Sequence, residues 1–185
     1  MAVLFDTSVL ALLLRPDARP PTDPATKQPV EHARRRVDYL VREISKARDK
    51  VIIPTPVLTE ILYYAGNATD EVLTKLQQSP FMLAPFGARA AVECADAMRR
   101  LGHKGKGKNN PQAKVKFDRQ IVAIAVVESV SMIYSDDDDI FGYGKQAGIK
   151  VVRSYELDLD PADRQGHLAL DQKIKPSNDS ESYSD

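Results

Sequence analysis

Short apolar runs alternate with helical patterns along most of this chain, and that alternation restricts its fold more than any other feature. Strands are predicted at residues 2–5, 51–53, 81–84, 131–134 and 150–152. Helices are predicted at about 30–48, 57–65, 67–78, 88–101, 118–128 and 140–147. Strands that alternate with helices form a parallel sheet that is covered on both faces. The sequence therefore predicts an α/β fold, with three α/β/α layers around a central parallel sheet of about five strands.

Length, charge and cysteine content exclude several classes of protein. The 185 residues suit one domain, and 26 basic against 26 acidic residues exclude a histone-like basic protein. Cys94 is the only cysteine, which excludes an internal disulfide and a multi-cysteine zinc site. No apolar run approaches the roughly 20 residues of a membrane span, and the first residues do not resemble a signal peptide. We therefore expect a cytoplasmic protein without a membrane partner.

The charge is distributed unevenly along the chain. Residues 156–185 contain eight acidic and three basic residues, so the remainder carries a net charge of +5. The last ten residues are polar and show no periodicity, which is typical of disorder. We therefore predict one folded domain over residues 1–155 and an acidic, disordered tail over 156–185. Residues 15–29, with five prolines, and 102–110, with three glycines and three lysines, are predicted to be loops.

Acidic residues follow two of the predicted strands. Asp6 comes directly after the first strand, and Asp136–Asp139 come directly after the fourth. Glu60 lies in the first turns of the helix after the second strand, and Asp118 opens a predicted helix. Because parallel strands end at the same edge of a sheet, these carboxylates converge if the first and fourth strands are neighbours.

Clustered carboxylates repel one another, and a hard divalent cation removes that repulsion. Mg²⁺ and Mn²⁺ prefer oxygen ligands, so a few carboxylates and a substrate phosphate are sufficient to bind them. The three histidines are scattered along the chain, so this pattern favours phosphodiester hydrolysis over acyl transfer. The alternative interpretation is structural: an aspartate after a strand is often a helix N-cap, and consecutive aspartates often form a solvated turn.

Four segments in order resemble the motifs of PIN-domain nucleases. They are Leu4-Phe-Asp-Thr-Ser8, Pro54-Thr-Pro-Val-Leu-Thr-Glu60, Phe117-Asp-Arg-Gln-Ile121 and Ser135-Asp-Asp-Asp-Asp-Ile140. The resemblance extends from residue 2 to about residue 153, with matching order and spacing. VapC-type toxins of toxin–antitoxin pairs are common small members of this family. The proline-rich segment, the Gly/Lys loop and the acidic tail depart from the compact members.

The resemblance implies an activity and a set of site residues. It implies a Mg²⁺- or Mn²⁺-dependent endoribonuclease with RNA as substrate, a cognate antitoxin as partner and a homodimeric state. The implied catalytic residues are Asp6, Glu60, Asp118 and Asp137, and the implied metal ligands are Asp6, Asp118, Asp137 and Asp139. Ser8 and Ser135 are implied to orient carboxylates by hydrogen bonds. The register within the four aspartates stays open, with Asp137 first and Asp139 second.

A basic stretch precedes Asp118 and is predicted to bind the RNA backbone. Residues 99–119 contain eight basic residues and one acidic residue. The predicted RNA-binding residues are Lys104, Lys106, Lys108, Lys114, Lys116 and Arg119. A solvated surface loop is the alternative. Gly102–Lys108 also resembles a P-loop, but Asn109 replaces the required Ser or Thr and a helix, not a strand, precedes it.

Two other functions fit parts of this pattern. A haloacid-dehalogenase-like phosphatase also begins with a strand followed by Asp, but it needs a second Asp where this chain has Ser8. A catalytically silent PIN-like module that binds RNA or protein would not need a complete set of four acids. Stabilisation by Mn²⁺ distinguishes a nuclease from such a module, because clustered carboxylates without a metal destabilise the fold.

Overall fold

Five parallel strands form the central sheet in this computed structural model, which describes residues 1–78, 80–101 and 112–163. The strands are β1 (Ala2–Phe5), β2 (Lys50–Pro54), β3 (Phe81–Ala84), β4 (Met132–Tyr134) and β5 (Lys150–Val152). Their order in the sheet is β3-β2-β1-β4-β5. β1 is therefore central and pairs with both β2 and β4. The predicted neighbour relation of the first and fourth strands is confirmed.

Helices cover the sheet in two groups. They are α1 (Thr7–Leu14), α2 (Ala33–Lys46), α3 (Thr55–Ala65), α4 (Thr69–Leu76), α5 (Ala88–Leu101), α6 (Gln112–Val127) and α7 (Asp138–Gln146). In one group α1 packs on α2 and α3, and α3 packs on α4; in the other, α6 packs on α5 and α7. The predicted three-layer α/β/α architecture is confirmed. Among the described residues, no helix has the length and apolar content that a membrane span requires.

The central strands are buried on both faces, as a parallel sheet requires. Leu4 and Phe5 of β1 and Ile52 and Ile53 of β2 have no exposed surface. These side chains anchor β1, which ends next to Asp6, and β2, which leads into the helix that carries Glu60. The core therefore fixes the position of Asp6, the residue that joins β1 to α1.

Three helices begin earlier than predicted, and the first of them, α3, begins two residues early at Thr55. α6 begins at Gln112, so Asp118 lies in its second turn, and the prediction that Asp118 opens this helix is wrong. The reason is that the first turns of α6 are rich in lysine, so the apolar pattern starts only after Asp118. α7 begins at Asp138, because the side chain of Asp137 caps its first turn.

The first residues after β5 pack against α2. Leu157 is buried, and its carbonyl oxygen accepts a hydrogen bond from the Arg36 guanidinium. Arg42 lies 2.7 Å from the carboxylate of Asp160. Residues 156–163 of the predicted tail thus contact the domain, and residues 164–185 lie outside the described residues. The division at residue 155 and the disorder of the tail stay predictions.

Gly144 permits close packing of α7 on β5, and its replacement is expected to destabilise the fold. A Cβ atom at Gly144 would clash with Cγ2 of Val151, whereas one at Gly142 would have no neighbour within 4 Å. We expect Gly144→Ala to lower the free energy of unfolding by about 1–3 kcal/mol. Gly142→Ala is the control on the same helix, and it should raise that energy by up to about 1 kcal/mol. Urea unfolding measures both, and equal effects would contradict the packing argument.

Candidate active site

The candidate site lies at the carboxyl edge of the sheet, where β1 and β4 end side by side. Phe5 pairs with Tyr134, and the backbone N–H of Asp6 donates to the carbonyl oxygen of Tyr134 over 3.0 Å. Asp6 and the aspartates that follow β4 therefore lie at the same edge of the sheet. This is the edge at which open α/β sheets bind their ligands.

A single cleft brings the predicted catalytic acids together. Its lining consists of Asp6, Thr7, Ser8, Glu60, Asp118, Ile121, Asp136 and Asp137. Asp6 comes from the end of β1, Glu60 from α3, Asp118 from α6 and Asp137 from the start of α7. Asp6 and Asp118 are each more than nine-tenths buried, which is unusual for an aspartate side chain.

Two serine hydroxyls hold the carboxylate of Asp6. Ser135 Oγ donates to Asp6 Oδ2 over 2.8 Å, and Ser8 Oγ donates to the same oxygen over 3.2 Å. Ser135 Oγ also accepts from the N–H of Asp137 over 3.1 Å, and Ser8 Oγ accepts from the N–H of Asp136 over 3.0 Å. The two serines thus connect Asp6 to the loop after β4. They are the two residues that the family resemblance implied would orient carboxylates by hydrogen bonds.

Burial raises the pKa of Asp6 above its ordinary value. The negative charge of Asp137 raises this pKa further, while the hydrogen bonds from Ser135, Ser8 and the backbone N–H of Thr7 act in the opposite direction. The net effect is that the ionised form of Asp6 is disfavoured in the protein alone. A cation beside these carboxylates would reverse that effect.

The four consecutive aspartates occupy four different environments. Asp136 Oδ1 accepts from the N–H of Ser154 over 2.9 Å and from its hydroxyl over 3.0 Å. Asp137 Oδ1 accepts from the N–H of Asp139 over 2.7 Å and thereby caps α7. The side chain of Asp138 is 97% exposed and forms an ion pair with Arg153 at 2.7 Å. Asp137 and Asp139 of this run each place a carboxylate oxygen within 4.8 Å of one from Asp118.

Three carboxylates form a group that suits a divalent cation. One oxygen each from Asp118, Asp137 and Asp139 lies within 4.8 Å of the other two. These are hard oxygen ligands, which Mg²⁺ and Mn²⁺ prefer, and a partly buried set of three leaves room for water and a phosphate oxygen. The residues therefore fit such an ion. Asp6, the fourth predicted ligand, lines the same cleft but lies outside this group of three.

Thr7 is a site residue for which the sequence suggested no role. Its hydroxyl donates to Glu60 Oε2 and so connects the first turn of α1 to α3. The sequence did contain a signal for this role, because Thr7 carries a hydroxyl group and directly follows Asp6 at the end of a strand. The contact orients Glu60 toward the cleft that the other acids line.

The predicted RNA-binding residues have different positions. Lys104, Lys106 and Lys108 lie outside the described residues, and Lys114 belongs to the first turn of α6. Lys116 is exposed on α6. Arg119 is only 7% exposed, and its guanidinium lies 5.1 Å from the ring centre of Tyr143. Arg119 therefore packs between α6 and α7. A cation that contacts phosphate needs to be more exposed than this side chain is.

A comparison with models of protein families finds a match to this chain. The family model of the PIN domain matches residues 29–146, a range that contains Glu60, Asp118 and Asp137 but begins after Asp6. A search of curated protein sequences finds no match.

Solved structures are similar in fold at low sequence identity. VapBC2 from Rickettsia felis bound to a DNA fragment from its promoter matches with a TM-score of 0.53 and 15% identity, over 83% of this chain and 98% of that chain. DNA-bound VapBC from Salmonella typhimurium gives 0.52 and 14%, and VapBC-1 from nontypeable Haemophilus influenzae gives 0.52 and 10%, with the same two coverages. At these identities the likeness concerns the fold.

Proposed function

We propose that this chain, which belongs to the PIN domain family, is a metal-dependent endoribonuclease that hydrolyses phosphodiester bonds of RNA in the acidic cleft. The observation that carries the proposal is the convergence of Asp6, Glu60, Asp118 and Asp137 on one cleft at the carboxyl edge of the sheet. Acids from four separate elements meet there at an energetic cost, which a structural role of single caps or turns does not explain.

In this proposal Asp118, Asp137 and Asp139 hold a Mg²⁺ or Mn²⁺ ion. When bound, such an ion lowers the pKa of a water molecule and neutralises charge on the reacting phosphate. Asp118 is rigid because it lies within the buried part of α6. Asp137 is fixed by its capping bonds to the N–H groups of Asp139 and Ile140. The two side chains are therefore pre-organised before any ion arrives.

Asp6 and Glu60 act on the water and the substrate. Ser135 and Ser8 occupy Oδ2 of Asp6, so Oδ1 is the oxygen that we assign to the ion or its water. Thr7 likewise occupies Oε2 of Glu60, which leaves Oε1 to accept a proton from the attacking water. Each acid thus has one oxygen that accepts from a hydroxyl group and one that we assign to the reaction.

The proposal extends to the protein partner and the oligomeric state. The structural neighbours named above are VapBC proteins, which supports an antitoxin as partner and a toxin role for this chain. A homodimer is proposed on the family resemblance. Tyr63, whose side chain is 79% exposed on α3, gives the surface an apolar element that such a contact could cover.

Metal addition tests the proposed activity directly. We expect Mn²⁺ to raise the melting temperature of the purified chain, since a ligand at 100 times its Kd stabilises a protein by about 2.7 kcal/mol. We expect labelled RNA to be cleaved with Mn²⁺ or Mg²⁺ and to stay intact with EDTA. Stabilisation without cleavage of RNA, but with release of phosphate from a monoester, would favour a phosphatase. Neither stabilisation nor cleavage would favour a silent module and overturn the proposal.

A further inference from the structure

The proline-rich segment, residues 15–29, folds into an ordered arm beside the cleft. Thr22 and Pro29 form an antiparallel bridge, and the N–H of Val30 donates to the carbonyl oxygen of Pro21 over 2.8 Å. Asp23 closes the tip, where its carboxylate accepts from the N–H of Ala25 over 2.7 Å. The arm therefore has a defined shape and holds its side chains in defined places.

A groove runs from the active-site cleft to this arm. Thr7, Ser8 and Asp136 line both the cleft and the groove, so the two are continuous. The far wall of the groove consists of the arm, which contributes Arg15 and Arg19. A polymer that crosses the cleft at Asp6 can thus continue into the groove past Ser8.

Arg15 and Arg34 act on one acid, Asp17, at this wall, and Arg19 lines the same groove. Arg15 pairs with Asp17 at 2.6 Å, and Arg34 of α2 donates to the carbonyl oxygen of Arg15. Arg15 chiefly, with a smaller effect from Arg34, holds the pKa of Asp17 below its usual range. Arg19 is exposed at the groove. The side chain of Asp17 is 71% exposed, so its ion pair with Arg15 is weak and open to exchange with another anion.

Tyr64 contacts Arg15 from the helix that carries Glu60. The guanidinium of Arg15 lies 5.0 Å from the ring centre of Tyr64. Tyr64 is one helical turn beyond Glu60 on α3, so the two side chains share a face of that helix. This contact places the guanidinium of Arg15 beside the helix that carries Glu60.

We propose that Arg15, Arg19 and Arg34 form a phosphate-binding subsite that holds the RNA strand beyond the scissile phosphate. The inference rests on the proposed ribonuclease function. An acidic cleft repels a polyanion, so flanking cations must supply much of the attraction for the backbone. The groove provides such cations on the Ser8 side of the cleft, and Lys116 is exposed on α6, the helix that contributes Asp118 to the cleft.

The salt dependence of RNA binding tests this subsite. Binding of a labelled single-stranded RNA to the full chain is measured in EDTA, which prevents turnover, over a series of salt concentrations. We expect Arg19→Ala to reduce the slope of log affinity against log salt by about 0.7, the value for one lost phosphate contact. In Mn²⁺, KM for RNA should rise while kcat stays near the wild-type value.

Arg48→Ala is the matched control. Arg48 is exposed between α2 and β2, at the amino edge of the sheet and thus opposite the cleft. An equal slope for Arg19→Ala and wild type, or equal losses in both variants, would overturn the subsite even if the wild type cleaves RNA. If the wild type does not cleave RNA in Mn²⁺, the proposed function fails, whereas the binding slopes in EDTA still report on the subsite. Arg15→Lys, which keeps the charge, should reduce the slope much less than Arg15→Ala.

Discussion

Asp6→Asn is expected to lower RNA cleavage by at least about 100-fold, the scale on which one pre-organised electrostatic group contributes to catalysis. The amide has nearly the shape of the carboxylate, and its oxygen can still accept hydrogen bonds from Ser135 and Ser8. What is lost is the negative charge at the centre of the cleft. Single-turnover cleavage of labelled RNA in Mn²⁺ measures the effect.

The same substitution should not weaken the metal-free fold. Because the pKa of Asp6 is raised in the folded protein, the folded state keeps a proton there at pH values where the unfolded chain has released it. Asp6 therefore makes the free energy of unfolding fall as pH rises from the ordinary carboxyl pKa to the raised one. Asp6→Asn removes that fall, so in EDTA at neutral pH the variant should unfold at an equal or higher urea concentration.

An exposed aspartate provides the control for charge alone. Asp70 lies in the first turn of α4, and its replacement by asparagine also removes one negative charge. Asp70→Asn should cleave RNA at nearly the wild-type rate. Full cleavage by Asp6→Asn would remove Asp6 from the proposed mechanism, and loss of folding in EDTA would show that its charge is structural.

The strands were predictable from the sequence because each is a short apolar run that ends at a polar or proline residue. α1 was not predicted, since its residues from Val9 to Leu14 are all apolar. A helix without a polar face has no amphipathic period, so periodicity cannot distinguish it from a strand. Its position between β1 and α2 buries it on several sides, which is why it can be apolar throughout.

The acids of the site were predictable because parallel strands deliver residues to one edge of the sheet. The register within Asp136–Asp139 was not, since it depends on which carboxylate caps α7 and which bonds to Ser154. The position of Arg119 was also not predictable from charge, because packing against Tyr143 decides which face of α6 it occupies. Arg19 reaches the groove beside the cleft only through the fold of a proline-rich arm, which carries no periodic signal.

Asp137→Asn is expected to abolish stabilisation by Mn²⁺ and to lower cleavage by at least about 100-fold. Asn is as good a helix cap as Asp, so the bonds to the N–H groups of Asp139 and Ile140 can persist. The change therefore removes one charged metal ligand with little effect on α7. Asp139→Asn should give the same loss of Mn²⁺ stabilisation, because it belongs to the same group of three carboxylates.

Asp138→Asn is the matched control for this series, since it alters the residue between two proposed ligands. Its side chain is 97% exposed and contacts Arg153 at the surface, where an ion pair contributes less than about 1 kcal/mol. The variant should keep both the Mn²⁺-dependent shift in melting temperature and the cleavage rate. If Asp138→Asn instead loses the shift and Asp137→Asn keeps it, the metal register assigned here is wrong by one residue. The hydrogen bonds from Asp6 through Ser135 to Asp137 would then not lead to the carboxylate that binds the ion, because Asp138 does not line the cleft.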